Sequence, residues 1–296
     1  MNQSGRPQVL PMTNPRADRV RDVAKLGGRP VRLKREQFLV EGPQAVREAL
    51  DLDRRRRDAG AAGVVVELFA SEACLEKHPE LAQAAAGVPL RIATNEVLAA
   101  MADTVSPQGI VAVCRFVDVT LDSVLDAGPR LIAVLCQVRD PGNAGTVLRA
   151  ADAAGADAVI LTASSVDIYN PKAVRSTAGS LFHLPVVLGT DAHELAAACK
   201  ERGIGVLAAD GYGDVNLDEL QDASAARRLG GVESSGYQLE KPTAWLFGNE
   251  AQGLSEDELA LADHRVAVPV YGSAESLNLG TAATVCVYAS ARAQRR

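Results

Sequence analysis

The chain has 296 residues, 47% of them hydrophobic and only 4% aromatic, with a formal net charge of -6. That length points to two domains of roughly 100 to 200 residues each, and the Ala-, Val- and Leu-rich composition suits parallel strands interleaved with helices rather than an aromatic-rich β-sandwich. No apolar run reaches the roughly 18 residues of a membrane span and no apolar core follows the first basic residue, so we expect a cytoplasmic protein with no membrane partner.

The N-terminal part reads as a short, disordered start and then a first helix between Asn14-Pro15 and Gly27-Gly28, with Asn as cap, Pro in the first turn and Gly after the end. Residues 1–57 carry 14 Lys+Arg against 7 Asp+Glu, so a basic front end precedes an acidic body, the asymmetry expected where one segment approaches phosphates. The Arg54–Arg57 run also fits a solvated helix end. Beyond it the pattern predicts a strand over Gln37–Val40, a helix over Gly42–Leu52, a strand over Gly63–Phe69, helix over Glu72–Ala86, strand over Val88–Ala93, helix over Glu96–Met101 and strand over Gly109–Phe116. These form a first α/β domain over residues 1–117.

Periodicity fades over 118–129, which ends in Gly128-Pro129 and reads as a linker. A second domain, 130–296, then alternates strands (Leu131–Val138, Ala158–Thr162, Val186–Leu188, Gly205–Ala209, Thr243–Phe247, Arg265–Val268) with helices (Ala144–Ala154, Pro171–Thr177, Ala192–Arg202, Ser255–Ala262, Leu277–Arg292). Such alternation implies a mostly parallel sheet covered on both faces. The Gly-, Ser- and charge-rich stretch Ser224–Lys241 reads as a mobile surface insertion without chemistry. The five cysteines (Cys74, Cys114, Cys136, Cys199, Cys286) are far apart, with no Cys-x-x-Cys and no His at ligand spacing; we expect buried free thiols and no metal site.

Three segments at strand-to-helix handovers, where open α/β sheets bind ligands, carry the chemistry. In Gln137-Val-Arg-Asp-Pro-Gly-Asn143-Ala-Gly145-Thr-Val-Leu-Arg149 an amide and a fixed cation lie nearly two helical turns apart, although an Asn cap and a surface Arg explain the same spacing. In Trp245-Leu-Phe-Gly248-Asn249-Glu250-Ala-Gln-Gly253-Leu-Ser255 a glycine turn would let backbone lie against a flat ligand, with a carboxylate at the strand's end; a plain turn is the alternative. In Val266-Ala-Val268-Pro269-Val-Tyr-Gly272-Ser-Ala-Glu-Ser276-Leu277-Asn278-Leu-Gly280-Thr281, Ser276 would cap a small-residue helix and Asn278 would sit on its first turn. Neither a dinucleotide G-x-G-x-x-G nor a P-loop is present.

Together, in order and spacing, these segments resemble the three motifs of the SpoU (TrmH-like) family of RNA ribose methyltransferases: D-P-x-N-x-G-x-x-x-R, F-G-N-E-x-x-G-L, and V/I-P followed by S-L-N. The resemblance spans residues 130–292 and takes in Ser176–Phe182, similar to the family's S-A-G-A-x-F segment, while Phe38-Leu-Val-Glu41-Gly42 resembles part of the substrate-binding domain many members carry. It implies an α/β fold whose C-terminal domain is a deep trefoil knot with a mostly parallel sheet, a smaller N-terminal α/β RNA-binding domain, a homodimer whose partner subunit helps complete the site, and S-adenosylmethionine as cofactor. The cofactor-contact positions carry over to Gly248, Val268 and Leu277, and the catalytic ones to Asn143, Arg149, Glu250, Ser276 and Asn278. This chain departs in having Val-Pro-Val at 268–270 where many relatives have Ile-Pro-Met, and in the 224–241 stretch.

The implied reaction is attack of a ribose 2′-hydroxyl on the sulfonium methyl, with ribosomal RNA, the large-subunit RNA in particular, as the preferred substrate. Arg149 is the family's favoured hydroxyl activator, but a guanidinium, which holds its proton far above neutral pH, is a poor base there. We therefore expect Arg149 to stabilise the incipient alkoxide and clamp a phosphate, with Asn143 positioning it. A tRNA 2′-O-methyltransferase, a non-catalytic RNA-binding protein on the same fold, and an unrelated nucleotide-dependent enzyme are the alternatives.

Overall fold

The structure, a computed structural model, describes residues 10–102, 104, 106–231 and 236–295. The start expected to be disordered lies largely outside them. The chain divides into two compact units, 1–116 with 169–182, and 117–168 with 183–296.

In the first unit, α1 (Asp18–Ala24), a 3-10 turn (Lys25–Gly27) and α2 (Arg29–Arg35) precede β1 (Gln37–Glu41), α3 (Pro43–Asp58), β2 (Val65–Ala70), α4 (Glu72–Lys77), α5 (Pro79–Ala84), β3 (Leu90–Ile92), α6 (Asn95–Met101) and β4 (Ile110–Arg115). The sheet order is β1-β4-β2-β3, with β4 antiparallel to both neighbours. The first helix starts at Asp18, not at Asn14, whose side chain instead accepts the Arg16 N–H at 2.9 Å in a preceding turn. Gly28 is followed by a further helix, α2, which no apolar period announces; its Arg32 is buried and donates to the carbonyls of Leu26 and Gly27, so tertiary contact makes this helix. The helix expected over 72–86 is two helices broken at His78-Pro79, because proline cannot donate within the ladder. Val20, Val23, Leu39, Phe69, Val97, Leu98 and Val111 are among the side chains of the core.

The Arg54–Arg57 run is largely local: Arg54 pairs with Asp51, Arg57 with the buried Asp53, and Arg55 donates to the Phe182 carbonyl. The segment Tyr169–Phe182, read in sequence as part of the second domain, groups with this unit. The Tyr169 ring stacks on Phe116 at 3.9 Å and lies 4.6 Å from Phe38, and Phe182 stacks on Phe38.

The second unit begins with α7 (Leu121–Asp126), a helix inside the expected linker, capped by Thr120. β5 (Leu131–Leu135), α8 (Pro141–Ala154) and β6 (Ala158–Thr162) follow; the segment just described carries α9 (Pro171–Thr177). Then come β7 (Val186–Thr190), α10 (Ala192–Glu201), β8 (Gly205–Ala209), β9 (Val215–Asn216), α11 (Leu217–Arg228), β10 (Thr243–Phe247), α12 (Glu256–Leu259), β11 (His264–Ala267) and α13 (Leu279–Gln294). The seven strands lie in the order β7-β6-β5-β10-β8-β11-β9, every pair parallel, as the alternation predicts. β5, β6 and β10 are buried throughout, and Ile132, Val134, Ile160 and Leu246 belong to the core under the helices.

The stretch 224–241 is not simply a mobile insertion. Ser224 is buried on α11, Leu239 is fully buried, and Glu240 accepts from Ser224 at 2.9 Å and from both ends of the Arg227 guanidinium; residues 232–235 lie outside the described ones. All five cysteines are free and buried. Burial pushes the Cys114, Cys136 and Cys286 thiols far up and Cys199 up to about 11, so none is a thiolate at neutral pH. Among the described residues no helix is long and apolar enough to cross a membrane.

Candidate active site

The parallel strands β5, β10, β8 and β11 are consecutive in the sheet, so the loops at their carboxyl ends form one row. The first leaves β5 through Gln137, whose left-handed backbone (φ 52°) turns the chain sharply. The Gln137 N–H donates to Thr162 Oγ1 at 3.2 Å and its side-chain amide donates to Glu258 at 3.2 Å, which fixes the turn from two sides. α8 starts at Pro141, and its cap is Asp140, which accepts the Asn143 N–H at 2.9 Å. Asn143 is thus not the cap, and its side chain is available for other work.

That side chain bridges two loops. Its Nδ2 donates to Glu250 at 2.9 Å, and its Oδ1 accepts from Asn278 Nδ2 at 3.1 Å. Glu250 also accepts the backbone N–H groups of Arg139 (3.5 Å) and Asp140 (3.4 Å). Although partial desolvation pushes the Glu250 carboxyl up, the Asn143 amide and the backbone N–H groups outweigh it and hold the group below the ordinary carboxylate range. It is ionised at neutral pH, which in turn orients the Asn143 amide.

The turn that presents Glu250 is built from its neighbours. Asn249 and Gly253 exchange two backbone hydrogen bonds, and the Asn249 side chain accepts the N–H groups of Ala251 and Gln252. A Cβ at Gly248 would lie 2.1 Å from the Gly253 carbonyl carbon. The turn's own close approach therefore demands glycine here, a reason the sequence reading did not supply.

The third loop reaches the same place through α13. Asn278, not Ser276, caps this helix: its Oδ1 accepts the Gly280 N–H at 2.9 Å, and the helix begins at Leu279. A Cβ at Gly280 would meet Thr146 Cγ2 at 2.7 Å, so α13 can approach α8 closely enough for the Asn278–Asn143 bond. Trp245, fully buried on β10, donates to Ser290 at 2.9 Å and ties α13 to the sheet.

Asn143, Glu250 and Asn278 are thus brought together. Arg149 and Ser276 are exposed, and the side chain of neither makes a hydrogen bond or ion pair among the described residues. At 100° per residue, six positions carry Arg149 about 120° around α8 and about 9 Å along it from Asn143, so the two do not share a face. Val268 and Leu277 are half-buried, and the backbone from 268 to 277 makes no backbone hydrogen bond among the described residues. Free amides and carbonyls beside apolar side chains suit a flat heterocyclic ligand.

Sequence reading missed the loop after β8, which lies between the β10 and β11 loops. Asp210 there accepts from the Arg265 guanidinium at 2.7 Å, Gly213 is pressed against the Arg265 backbone, and Tyr212 is exposed. Its signal was the Asp-Gly-Tyr-Gly turn after a predicted strand. Among the described residues no group of three or more His, Cys, Asp or Glu could hold a metal ion.

Comparison with known proteins gives these features a context. The SpoU rRNA Methylase family profile matches residues 130–288, and that of the MRM3-like substrate binding domain matches 17–112. The chain is 33% identical over 273 residues to the 23S rRNA (guanosine(2553)-2'-O)-methyltransferase RlmP of Bacillus subtilis, covering 91% of this chain and 94% of that protein. It is similar to the AdoMet-bound rRNA methyltransferase of Sinorhizobium meliloti (TM-score 0.77, 25% identity, 96% and 97% of the two chains). It is also similar to the SpoU methyltransferase AviRb of Streptomyces viridochromogenes in complex with AdoMet (TM-score 0.74, 28% identity, 94% and 98%).

Proposed function

The chain belongs to the SpoU rRNA Methylase family, and from that premise we propose that it transfers a methyl group from S-adenosylmethionine to a ribose 2′-hydroxyl of ribosomal RNA, the large-subunit RNA in particular. The observation that carries the reading is the hydrogen-bonded chain Glu250–Asn143–Asn278, built from three separate motifs on three strand-end loops. The substrate choice draws on relatives named as 23S rRNA 2'-O-methyltransferases.

S-adenosylmethionine, the cofactor of SpoU methyltransferases, supplies an electrophilic methyl on a positively charged sulfonium. The residues present fit it: Val268 and Leu277 are half-buried apolar groups, and the backbone between them keeps its hydrogen-bonding groups free for an adenine edge. Gly248 keeps the β10 turn compact beside them. Val268, Leu277 and the Gly248 backbone are the residues assigned to hold the cofactor.

Glu250 and Asn278 each take one end of the Asn143 amide, leaving it no rotamer freedom, so Asn143 is a fixed reference for the incoming ribose. The Arg149 guanidinium stabilises negative charge that would develop on the 2′-oxygen as its proton passes to solvent water, and holds an adjacent phosphate. Because Arg149 lies about 120° around α8 from Asn143, it is assigned to the site of the partner subunit in a homodimer. The exposed apolar pair Val285 and Tyr288 on α13, the helix packed beside α8, supports that association. Ser276, exposed beside Leu277, is assigned a contact with the reacting groups through its hydroxyl.

Residues 1–117 are assigned to gripping RNA and 130–296 to catalysis, with the knotted path that family membership implies; 118–129, expected as a bare connection, carries α7 and groups with the second unit, and 169–182 groups with the first. Five buried free thiols support a reducing, cytoplasmic setting. The test is transfer of labelled methyl to deproteinised ribosomal RNA and, separately, to tRNA. Label in ribosomal RNA is expected; label in tRNA alone overturns the substrate choice.

A further inference from the structure

The segment between β5 and α8 is held at several of its backbone N–H and carbonyl groups. The Gln137 N–H is bound by Thr162 and the Val138 carbonyl by the Val166 N–H at 2.8 Å. The Arg139 and Asp140 N–H groups are bound by Glu250, and the Asp140 carbonyl by the Ala144 N–H at 3.1 Å. The left-handed turn at Gln137 and its side-chain bond to Glu258 lock the direction in which the segment leaves the sheet. Rigid mounting of this kind lowers the ordering cost of a contact made by a side chain it carries.

Arg139 is that side chain. It is exposed and makes no side-chain hydrogen bond or ion pair among the described residues. This is notable because two carboxylates are close in the chain or bound to its own backbone. Both are already engaged: Asp140 accepts the Asn143 N–H, and Glu250 accepts the Asn143 amide and two backbone donors. The arginine thus stands beside the Asn143 cluster with its five donors uncommitted. An approaching ligand that is anionic and presents paired oxygens is what such a guanidinium takes.

We propose that Arg139 is a binding residue for an RNA phosphodiester flanking the methylated ribose; this rests on the RNA methyltransferase reading above. The other anion available, the carboxylate of the cofactor, shares the chemistry, so the test separates the two.

The experiment measures retention of deproteinised 23S ribosomal RNA on filters over a range of KCl concentrations, and S-adenosylmethionine affinity by calorimetry, for wild type, Arg139→Ala and Arg139→Lys. Loss of one phosphate contact is expected to weaken RNA retention about five- to tenfold and to reduce the slope of log affinity against log salt by about 0.7. Arg139→Lys is expected to restore the slope, and cofactor affinity is expected to stay unchanged in both variants. An unchanged slope in Arg139→Ala overturns the proposal, and so does weakened cofactor binding with RNA retention intact. Retention is read without turnover. A wild-type protein that binds RNA with this slope but transfers no methyl therefore refutes the enzymatic reading while leaving the Arg139 contact tested.

Discussion

The Asn278 side chain caps the last helix with its oxygen and donates its amide hydrogen to the Asn143 carbonyl oxygen at 3.1 Å, so one residue both starts a helix and holds a site. The two roles use different atoms and can be separated. Asn278→Asp keeps the cap and loses the donor; it is expected to retain the melting temperature and lose tenfold or more in methyl transfer, on the order of the 1.4 kcal/mol that a hydrogen bond to an oriented group supplies. Asn278→Ala loses both, and its thermal unfolding is expected to show a further cost of about 1 kcal/mol. Equal loss of stability in the two variants contradicts the assignment.

Glu250 sits below the ordinary carboxylate range in the native state. The stabilisation it contributes is fully present above the unfolded-state value and is lost as pH falls through the lowered native value. The cluster therefore stays assembled through neutral pH, and a transfer rate measured from about pH 6 to 9 carries no ionisation of Glu250. Glu250→Gln removes the charge that orients Asn143 and is expected to cut the rate by tenfold or more while flattening the acid limb of the stability profile. An acid limb identical to wild type in this variant shows that Glu250 is not the group lost there.

Arg149→Ala is expected to abolish turnover and leave S-adenosylmethionine affinity nearly unchanged, because the residue is separate from the loops assigned to the cofactor. Mixing inactive Arg149→Ala with inactive Asn143→Ala subunits is expected to recover part of the activity, since a mixed dimer holds one site with both residues intact. Turnover by Arg149→Ala alone removes the residue from the mechanism, and no recovery on mixing removes it from the partner's site.

What made this site legible was the resemblance carried by three motifs together, since the Asn143–Arg149 spacing, the Gly248 turn and the Ser276–Asn278 helix start each had a plain structural reading when taken alone. The alternation of buried β-branched strands with helices likewise announced the parallel sheet. What was not legible depended on tertiary contact. Helix α2 exists through the buried Arg32, which sequence reads as one more surface cation. The cap of α13 passed from Ser276 to Asn278 because the Asn143 bond rewards that choice, and no local preference separates two good capping residues two positions apart. Gln137 gave no sign of its left-handed turn, since glutamine has no preference for one.

The 224–241 stretch was misread for a similar reason, its charges being partners of one another. Burial raises the Glu240 carboxyl, but Arg227, the backbone and Ser224 bring it down to about 2. Stability from this group is present above the unfolded-state carboxylate value and is lost as pH falls toward 2. Arg227→Ala strands the partly buried Glu240 and is expected to lower stability by about 1–2 kcal/mol and raise the pH of acid unfolding. Chemical denaturation at neutral and acid pH reads both, and a wild-type-like profile restores the picture of a mobile insertion.

The measurement that tests the central claim most directly is the position and chemistry of the transferred methyl group. Labelled 23S ribosomal RNA from a wild-type reaction is digested with alkali and with nucleases, and the products are separated. The account predicts a single alkali-resistant dinucleotide carrying all of the label, as only a methylated 2′-oxygen blocks cleavage at its own linkage. Label released on mononucleotides, which would place the methyl on a base, contradicts it.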